Sequence, residues 1–363
     1  MHMADALISP AVGGATWAVA GGLIGYSARK MRRCLDGSRV PLMGVMGAFV
    51  FAAMMINFTI PGTGSSGHLG GGLLLAILLG PSAAFITIAS ILTVQAMFFA
   101  DGGLLALGCN ILNMGLMPCF IAYPLLYLPL AGKKPTRGRI ALAATAAAVV
   151  GLQLGAMGVV VETAMSGISD LPIGKFMLLM QPIHLAIGLV EGLVTAAVVT
   201  FIWQARPEVL DLADSAGGGR SSEPLSGRMR PVVISLLLAA IVTGGAISWF
   251  ASTAPDGLEW SIAGTAGKEQ LAESSDGLHA AMREVQERTA FLPDYDFAGK
   301  QAPSPQQAAR PGDSPGTGKG QWFAPSAGAT VSGLVGGGIT LVLALLAGWA
   351  LRRRTASAAA QAN

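Results

Sequence analysis

The first two residues of the chain, Met1 and His2, form a potential metal chelate. Methionine removal generally requires a small second residue, so we expect Met1 to keep a free α-amine. That amine, the amide nitrogen of His2 and its imidazole Nδ1 could bind one metal ion through fused rings. A fourth nitrogen in the same plane would complete a tetragonal site, which suits Ni(II) or Cu(II). Taken alone, a Met-His start is more often an ordinary surface terminus.

His68 is the candidate for the fourth nitrogen. It follows a loop, residues 61–67, whose glycines would let the chain fold inward, and it heads an apolar stretch. A histidine in such a position commonly satisfies a helix N-terminus instead. The expected membrane topology places this loop and the N-terminus on one face, so His68 is available to a site that includes Met1 and His2.

Other ionisable residues near apolar stretches are further candidates, because such groups are costly inside a membrane. Asp101 could be a ligand, but we expect it to cap a helix or to hold a ligating histidine in place. His184 and Glu191 lie seven residues apart on one helical face and could relay protons, although pairing and helix packing are the more common roles. His279 lies in a polar segment and is expected to be ordinary.

Only 12% of the 363 residues are charged, whereas 52% are hydrophobic. An average soluble domain carries about 25% charged residues. A chain this poor in charge cannot cover a globular surface with polar groups, so lipid must surround most of it. We therefore predict an all-α integral membrane protein. Cys34, Cys109 and Cys119 are odd in number and form no CxxC pair, so we expect buried or lipid-facing thiols.

Nine apolar stretches are candidates for membrane-spanning helices, each of which needs about 20 residues. They are residues 11–28, 41–59, 68–80, 82–100, 103–130, 140–163, 177–204, 231–251 and 328–351. The third stretch is short and rich in glycine. No basic n-region marks a cleavable signal peptide, so we expect the first stretch to be retained.

The basic residues occur in clusters, and these set the expected orientation. The clusters begin at Arg29, Lys133, Arg206 and Arg352. Lys and Arg in short loops stay on the cytoplasmic side, and with nine spans every cluster falls on that side. We therefore expect a multi-pass protein of a bacterial inner membrane, with the N-terminus outside and the C-terminus in the cytoplasm. Charge clustered in this way argues against nucleic acid as a partner.

The chain is predicted to have two parts joined by a linker. Residues 1–204 should form a bundle of about seven helices with short loops. Residues 205–230 are polar and should be a cytoplasmic linker. Residues 231–363 should form a two-helix hairpin that holds an extracytoplasmic segment, residues 252–326. Within that segment, residues 267–290 have helical character.

Several motifs resemble the M-type substrate-binding subunit of the cobalt/nickel energy-coupling-factor transporters (CbiM/NikM). The matching residues are Met1, His2, Met3, Asp5, Pro10, Asn57, Phe58, Gly67, His68, Gly80, Pro81, Gln95, residues 99–103, residues 106–108, Asn110, residues 113–115, His184, Gly188, Glu191 and Gly192. They cover residues 1–204, and the run 99–115 is highly specific. Residues 231–363 resemble the small N-type subunit (NikN-like, PDGLE domain), whose mark is the sequence 255–259, followed here by residues 293–295.

The resemblance implies a Ni²⁺ or Co²⁺ site built from Met1, His2 and His68. The family residues expected around that site are Asn57, Gln95, Asp101, Asn110, His184 and Glu191. The ion would be the transported substrate, and no organic cofactor is implied. The implied partners are membrane lipid, a transmembrane coupling (T) subunit and two cytoplasmic ATPase subunits. Ala6 departs from the glycine common in the family, but this change removes no ligand.

The chain has no Gly-x-x-x-x-Gly-Lys-Ser/Thr phosphate loop, so it cannot power transport by hydrolysing ATP itself. This absence agrees with the transporter subunit that the resemblance implies, so we expect a transporter subunit and not an enzyme. The alternative is a membrane-embedded enzyme or a proton-coupled carrier that uses His184, Glu191 and Asp101, but no nucleophile motif or paired zinc-histidine motif supports an enzyme. Four nitrogens in a plane favour nickel over cobalt, although Cu(II) would bind at least as tightly.

Overall fold

The computed structural model of the chain describes residues 1–34, 39–205, 210, 226–267, 271, 277–297 and 327–361. Most of the predicted linker 205–230 and much of the predicted extracytoplasmic segment 252–326 lie outside the described residues.

The described residues form eleven α-helices. They are α1 Pro10–Cys34, α2 Arg39–Met54, α3 Gly72–Leu79, α4 Pro81–Phe99, α5 Leu107–Ala131, α6 Arg137–Ser166, α7 Ile173–Ala205, α8 Ser226–Gly245, α9 Gly257–Ala266, α10 Gly277–Thr289 and α11 Ala327–Gln361. The central part of α5, Leu112–Tyr127, is a π-helix. Three short 3₁₀-helices cover Asp5–Leu7, Ile247–Phe250 and Pro293–Tyr295.

Five of these helices, α4, α5, α6, α7 and most of α11, are long and apolar enough to cross a membrane. Shorter apolar stretches occur in α2 and α8, at Val40–Met54 and Pro231–Gly245. The prediction of an all-α membrane protein is thereby confirmed. The described part of residues 1–205 contains seven helices, and both helices of the C-terminal hairpin, α8 and α11, pack against α2.

The third predicted span, residues 68–80, is helical only in part. Helix α3 has only 8 residues and is therefore about 12 Å long, less than half of a hydrocarbon core. Residues 68–71 before it are non-helical, because Gly70 and Gly71 disfavour a helix and Gly71 takes a positive φ of 71°. The count of nine crossings, which needs this stretch, stays a prediction.

Glu191 in α7 satisfies the irregular backbone before α3. Its carboxylate accepts hydrogen bonds from the amides of Gly70 at 2.8 Å and Gly71 at 3.1 Å. Non-helical backbone at membrane depth is tolerated only where protein buries and satisfies it, and each unpaired buried amide costs about 1–3 kcal/mol. The carboxylate of Glu191 therefore fixes the segment that begins with His68.

A β-hairpin, where the sequence predicts only a loop, connects α2 to His68. Strands β1 Phe58–Ile60 and β2 Ser65–Gly67 are antiparallel, with Thr59 opposite Ser66. Gly62 and Gly64 in the turn have φ of 78° and 74°, a conformation that glycine adopts without strain. His68 directly follows β2.

The described parts of the segment between α8 and α11 fold back onto the bundle. Helix α9 packs against α7 and β2, while α10 and the 3₁₀-helix Pro293–Tyr295 contact α4. Helix α10 lies within the stretch 267–290 that was expected to be helical. These elements cover the end of the bundle that carries the N-terminus, the hairpin and Asp101.

Candidate metal site

The N-terminal segment is buried and ordered by side chains of the bundle. Only 6% of the Met1 surface is exposed, and Met3 is fully buried. Asn110 binds the backbone of Met3 on both sides: its Oδ1 accepts from the Met3 amide at 2.8 Å, and its Nδ2 donates to the Met3 carbonyl at 3.2 Å. Asp5 accepts a hydrogen bond from the amide of Ala106 at 2.8 Å. A buried terminus of this kind favours metal capture over an ordinary frayed end.

Gly103 is required for this burial. Its amide donates to the carbonyl of Met3 at 2.9 Å. A Cβ atom at this position would collide with the carboxylate and backbone of Asp5. The glycine in the specific run 99–115 therefore lets the N-terminal segment lie directly against the end of α4.

The structure brings Met1, His2 and His68 together. The terminal nitrogen of Met1 lies 3.4 Å from Nε2 of His68. The rings of His2 and His68 stack with centroids 4.9 Å apart. Nδ1 of His68 lies 3.1 Å from the carbonyl oxygen of Leu69. Since a carbonyl only accepts, Nδ1 carries the proton, and the lone pair of Nε2 faces the Met1 nitrogen.

The imidazole of His2 lies between two polar side chains. Its Nδ1 is 3.3 Å from Oδ1 of Asp101, and its Nε2 is 3.2 Å from Oε1 of Gln95. These contacts orient the ring. Nδ1, which the chelate hypothesis assigns to the metal, is directed at Asp101 in this structure, so chelation requires rotation of the ring.

Both histidines are neutral near pH 7. Burial, followed by the charge on the Met1 nitrogen, lowers the pKa of His2 to about 3. The same two causes lower the pKa of His68 to about 4. Metal ligation requires the neutral imidazole, so no proton has to leave either ring when an ion binds at neutral pH.

Asp256 also reaches the site, although it was not among the predicted site residues. Its Oδ2 lies 3.3 Å from the Met1 nitrogen and 3.9 Å from Nε2 of His68. Burial alone would raise the pKa of the Asp256 carboxyl, but the charges of Met1 and His68 hold it well below its usual range. The motif 255–259 marks the N-type subunit, but nothing in its sequence predicts contact with Met1.

Two more residues of the C-terminal part contact the site region. The hydroxyl of Tyr295 donates to Oδ2 of Asp101 at 2.5 Å and accepts from Nε2 of Gln95 at 3.1 Å. His279, which was expected to be ordinary, is buried, and its Nε2 donates to the carbonyl of Ile8 at 2.8 Å. The His279 contact holds the N-terminal segment, and the two Tyr295 contacts hold the side chains that flank His2.

The residues of the enzyme or carrier alternative do not form a common hydrogen-bonded group. The carboxylate of Glu191 is occupied by backbone amides, and Asp101 binds Tyr295 and His2. Nδ1 of His184 lies 2.8 Å from the carbonyl of Met180, and its Nε2 has no hydrogen-bond partner among the described residues. The alternative is therefore not favoured.

A cavity of about 540 Å³ adjoins the site. His2, His68 and Asn57 line it, together with the acidic residues Asp101, Asp256, Glu259 and Asp294. Within the described residues, no group of three His, Cys, Asp or Glu side chains could hold a metal ion. An ion bound here would therefore need the backbone nitrogens of the N-terminus.

Two family models match the chain in succession. Residues 2–209 match the model described as the cobalt uptake substrate-specific transmembrane region, CbiM. Residues 230–353 match the PDGLE domain.

Similar proteins carry names of metal transport. The chain is 33% identical to the fused nickel transport protein NikMN of Rhodobacter capsulatus, across 58% of this chain and 64% of that protein. It is 30% identical to the probable fused nickel transport protein LarMN of Lactiplantibacillus plantarum, across 82% and 90%. A crystal structure described as a transition metal transporter is 28% identical with a TM-score of 0.51, across 59% of this chain and 98% of that one.

Proposed function

Because this chain belongs to the CbiM family of cobalt-uptake substrate-specific transmembrane proteins, we propose that it captures Ni²⁺ or Co²⁺ for uptake across the membrane. It is a multi-pass membrane component of a metal transporter and not an enzyme. The observation that carries the proposal is the buried pair formed by the Met1 nitrogen and Nε2 of His68, 3.4 Å apart, with the His2 ring stacked beside them.

The proposed ligands are Met1, His2 and His68. Met1 contributes its amine, His2 its amide nitrogen and Nδ1, and His68 its Nε2. Rotation of the His2 ring away from Asp101 would close the fused chelate rings around the ion. The N-terminal segment would be held by Asn110, and the His2 ring by Gln95 and Asp101. Supporting partners of this kind commonly change metal affinity 10–100-fold. Nickel is our preferred substrate, because a nitrogen plane suits Ni(II).

We propose that ATP hydrolysis by separate subunits drives uptake. The chain lacks a phosphate loop, and the coupling partners would be a transmembrane T subunit and two cytoplasmic ATPase subunits. Cells that produce this chain with those partners should accumulate radioactive nickel. Replacing the phosphate-loop lysine of the ATPases should reduce uptake to background, with cobalt as a competitor to rank the two ions. Full uptake by this chain with the inactive ATPases would contradict energy coupling of this type.

We further propose that the metal site opens to the outside of the plasma membrane and that the C-terminus lies in the cytoplasm. The basic clusters support this orientation. An impermeant maleimide should label Leu278→Cys, at an exposed position at the start of α10, in intact cells. Lys134→Cys, exposed in the connection before α6, should react only after lysis. The native Cys109 and Cys119 are buried, and Cys34 is replaced by serine in both variants. The reverse pattern would refute the topology.

A further inference from the structure

The two carboxylate oxygens of Asp256 have different surroundings. Oδ1 accepts hydrogen bonds from the amides of Leu258 and Glu259, both at 2.8 Å, and so caps helix α9. Oδ2 faces the Met1 nitrogen at 3.3 Å and Nε2 of His68 at 3.9 Å. One oxygen thus fixes the side chain, and the other is presented to the proposed metal-binding nitrogens.

The Met1 nitrogen, Nε2 of His68 and Oδ2 of Asp256 form a triangle of a size that suits a metal ion. A point equidistant from three atoms separated by 3.4, 3.3 and 3.9 Å lies inside the triangle, about 2.1 Å from each atom. Divalent zinc, a comparable first-row ion, binds nitrogen and carboxylate oxygen at about 2.0–2.2 Å. An ion at that point would replace the proton that the Met1 nitrogen now donates to Oδ2 of Asp256.

The position of Asp256 is fixed by contacts with the hairpin that carries His68. The amide of Ser66 donates to the carbonyl of Pro255 at 2.8 Å, and its hydroxyl donates to the carbonyl of Ala254 at 2.7 Å. Nε1 of Trp260 donates to the carbonyl of Thr63 at 3.0 Å. The oxygen and the imidazole are therefore held by one assembly, so the ligands are preorganised before an ion arrives.

The triangle does not depend on His2. In this structure Nδ1 of His2 is directed at Asp101. The three atoms of the triangle, by contrast, already lie together. An ion that enters from the adjoining cavity, which Asp256 also lines, would meet this triangle without any change at His2.

We propose that Oδ2 of Asp256 is a direct ligand of the captured ion, beside the Met1 amine and Nε2 of His68. The PDGLE part of the chain would then supply one donor of the metal site, and its carboxylate would offset one of the two positive charges of the ion. This inference rests on the proposed function, namely that the site binds Ni²⁺ or Co²⁺.

Replacing Asp256→Asn should weaken Ni²⁺ binding at least tenfold. Asparagine is also a good helix N-cap, so α9 should persist, but the negative oxygen is lost. The matched control is Asp294→Asn, which removes a carboxylate from the same cavity without touching the triangle. Asp294 has a positive φ of 52°, which asparagine tolerates. Calorimetry should find less than a threefold change in Ni²⁺ affinity for the control. Equal losses of affinity in the two variants would show that Asp256 acts only through its charge and is not a ligand.

A cysteine at the same position tests direct contact. Co²⁺ bound to Asp256→Cys should give a thiolate-to-cobalt charge-transfer band in the near ultraviolet, which neither the unaltered chain nor Asp294→Cys should give. A merely structural role for Asp256 would not produce this band. Bound Co²⁺ with the unaltered spectrum would overturn the proposal. Should Asp256→Cys fail to fold, the two asparagine variants decide by the same thresholds.

The outcomes separate this inference from the proposed function. If the unaltered chain binds neither Ni²⁺ nor Co²⁺, the proposed function itself fails. If the unaltered chain binds nickel, His68→Ala does not, and Asp256→Asn binds as tightly as the unaltered chain, then only the role of Asp256 fails.

Discussion

Adding a few residues before Met1 should abolish stoichiometric Ni²⁺ binding, although the extension deletes no side chain. The extension converts the α-amine into a secondary amide, which is a much poorer donor. It also has to fit where the Met1 nitrogen now lies, between His68 and Asp256 in a buried position. Nickel per chain after desalting should fall from about one to near zero, a loss beyond the 10–100-fold effect of supporting residues.

The control for this experiment is the same tag placed at the C-terminus, which should leave one nickel ion bound per chain. Intact mass should first establish that Met1 is the N-terminal residue of the control protein. If the extended protein binds nickel as tightly as the control, the terminal nitrogen is not a ligand. The site would then have to be rebuilt around His68 and Asp256.

The His2→Ala and His68→Ala substitutions should each weaken Ni²⁺ binding at least ~100-fold, because each removes a proposed imidazole ligand. A loss of this size corresponds to about 2.7 kcal/mol of binding free energy. His279→Gln is the matched control, because glutamine keeps an N–H donor for the carbonyl of Ile8 while removing an imidazole outside the proposed ligand set. It should retain binding to within about tenfold.

The measurement for these variants is isothermal calorimetry, accompanied by thermal unfolding without metal. Unfolding temperatures close to that of the unaltered protein would exclude a collapse of the fold as the cause of lost binding. Retained affinity in either alanine variant would sink the assignment of that histidine.

The proposed ligands were accessible from the sequence because their chemistry is local. A free amine, an amide and an imidazole within Met1 and His2 can form a chelate whatever the fold. Their meeting with His68 required only that two segments lie on one face of the membrane, which the basic clusters predict. The fold class followed in the same way, since hydropathy alone marks helices long enough to span.

The contacts made by the C-terminal part could not be predicted from the sequence. Asp256 and Tyr295 meet Met1 and Asp101 across about two hundred residues or more, and nothing in a linear pattern determines how that segment folds back. The short α3 was equally difficult, because apolar residues around Gly70 and Gly71 resemble part of a spanning helix. The non-helical backbone there is stable only because the carboxylate of Glu191, far along the chain, accepts hydrogen bonds from the amides of Gly70 and Gly71.

The most direct test of nickel capture by the N-terminus is calorimetric Ni²⁺ titration of the unextended protein from pH 6 to 9, in buffers of different ionisation enthalpy. Burial holds the pKa of His2 near 3 and that of His68 near 4, so both rings are already neutral across this range. Proton release must then come from the amine and amide nitrogens, and affinity should rise steeply with pH. One bound ion with release of more than one proton is the predicted result. Affinity that is level from pH 6 to 9, without proton release, would contradict the account.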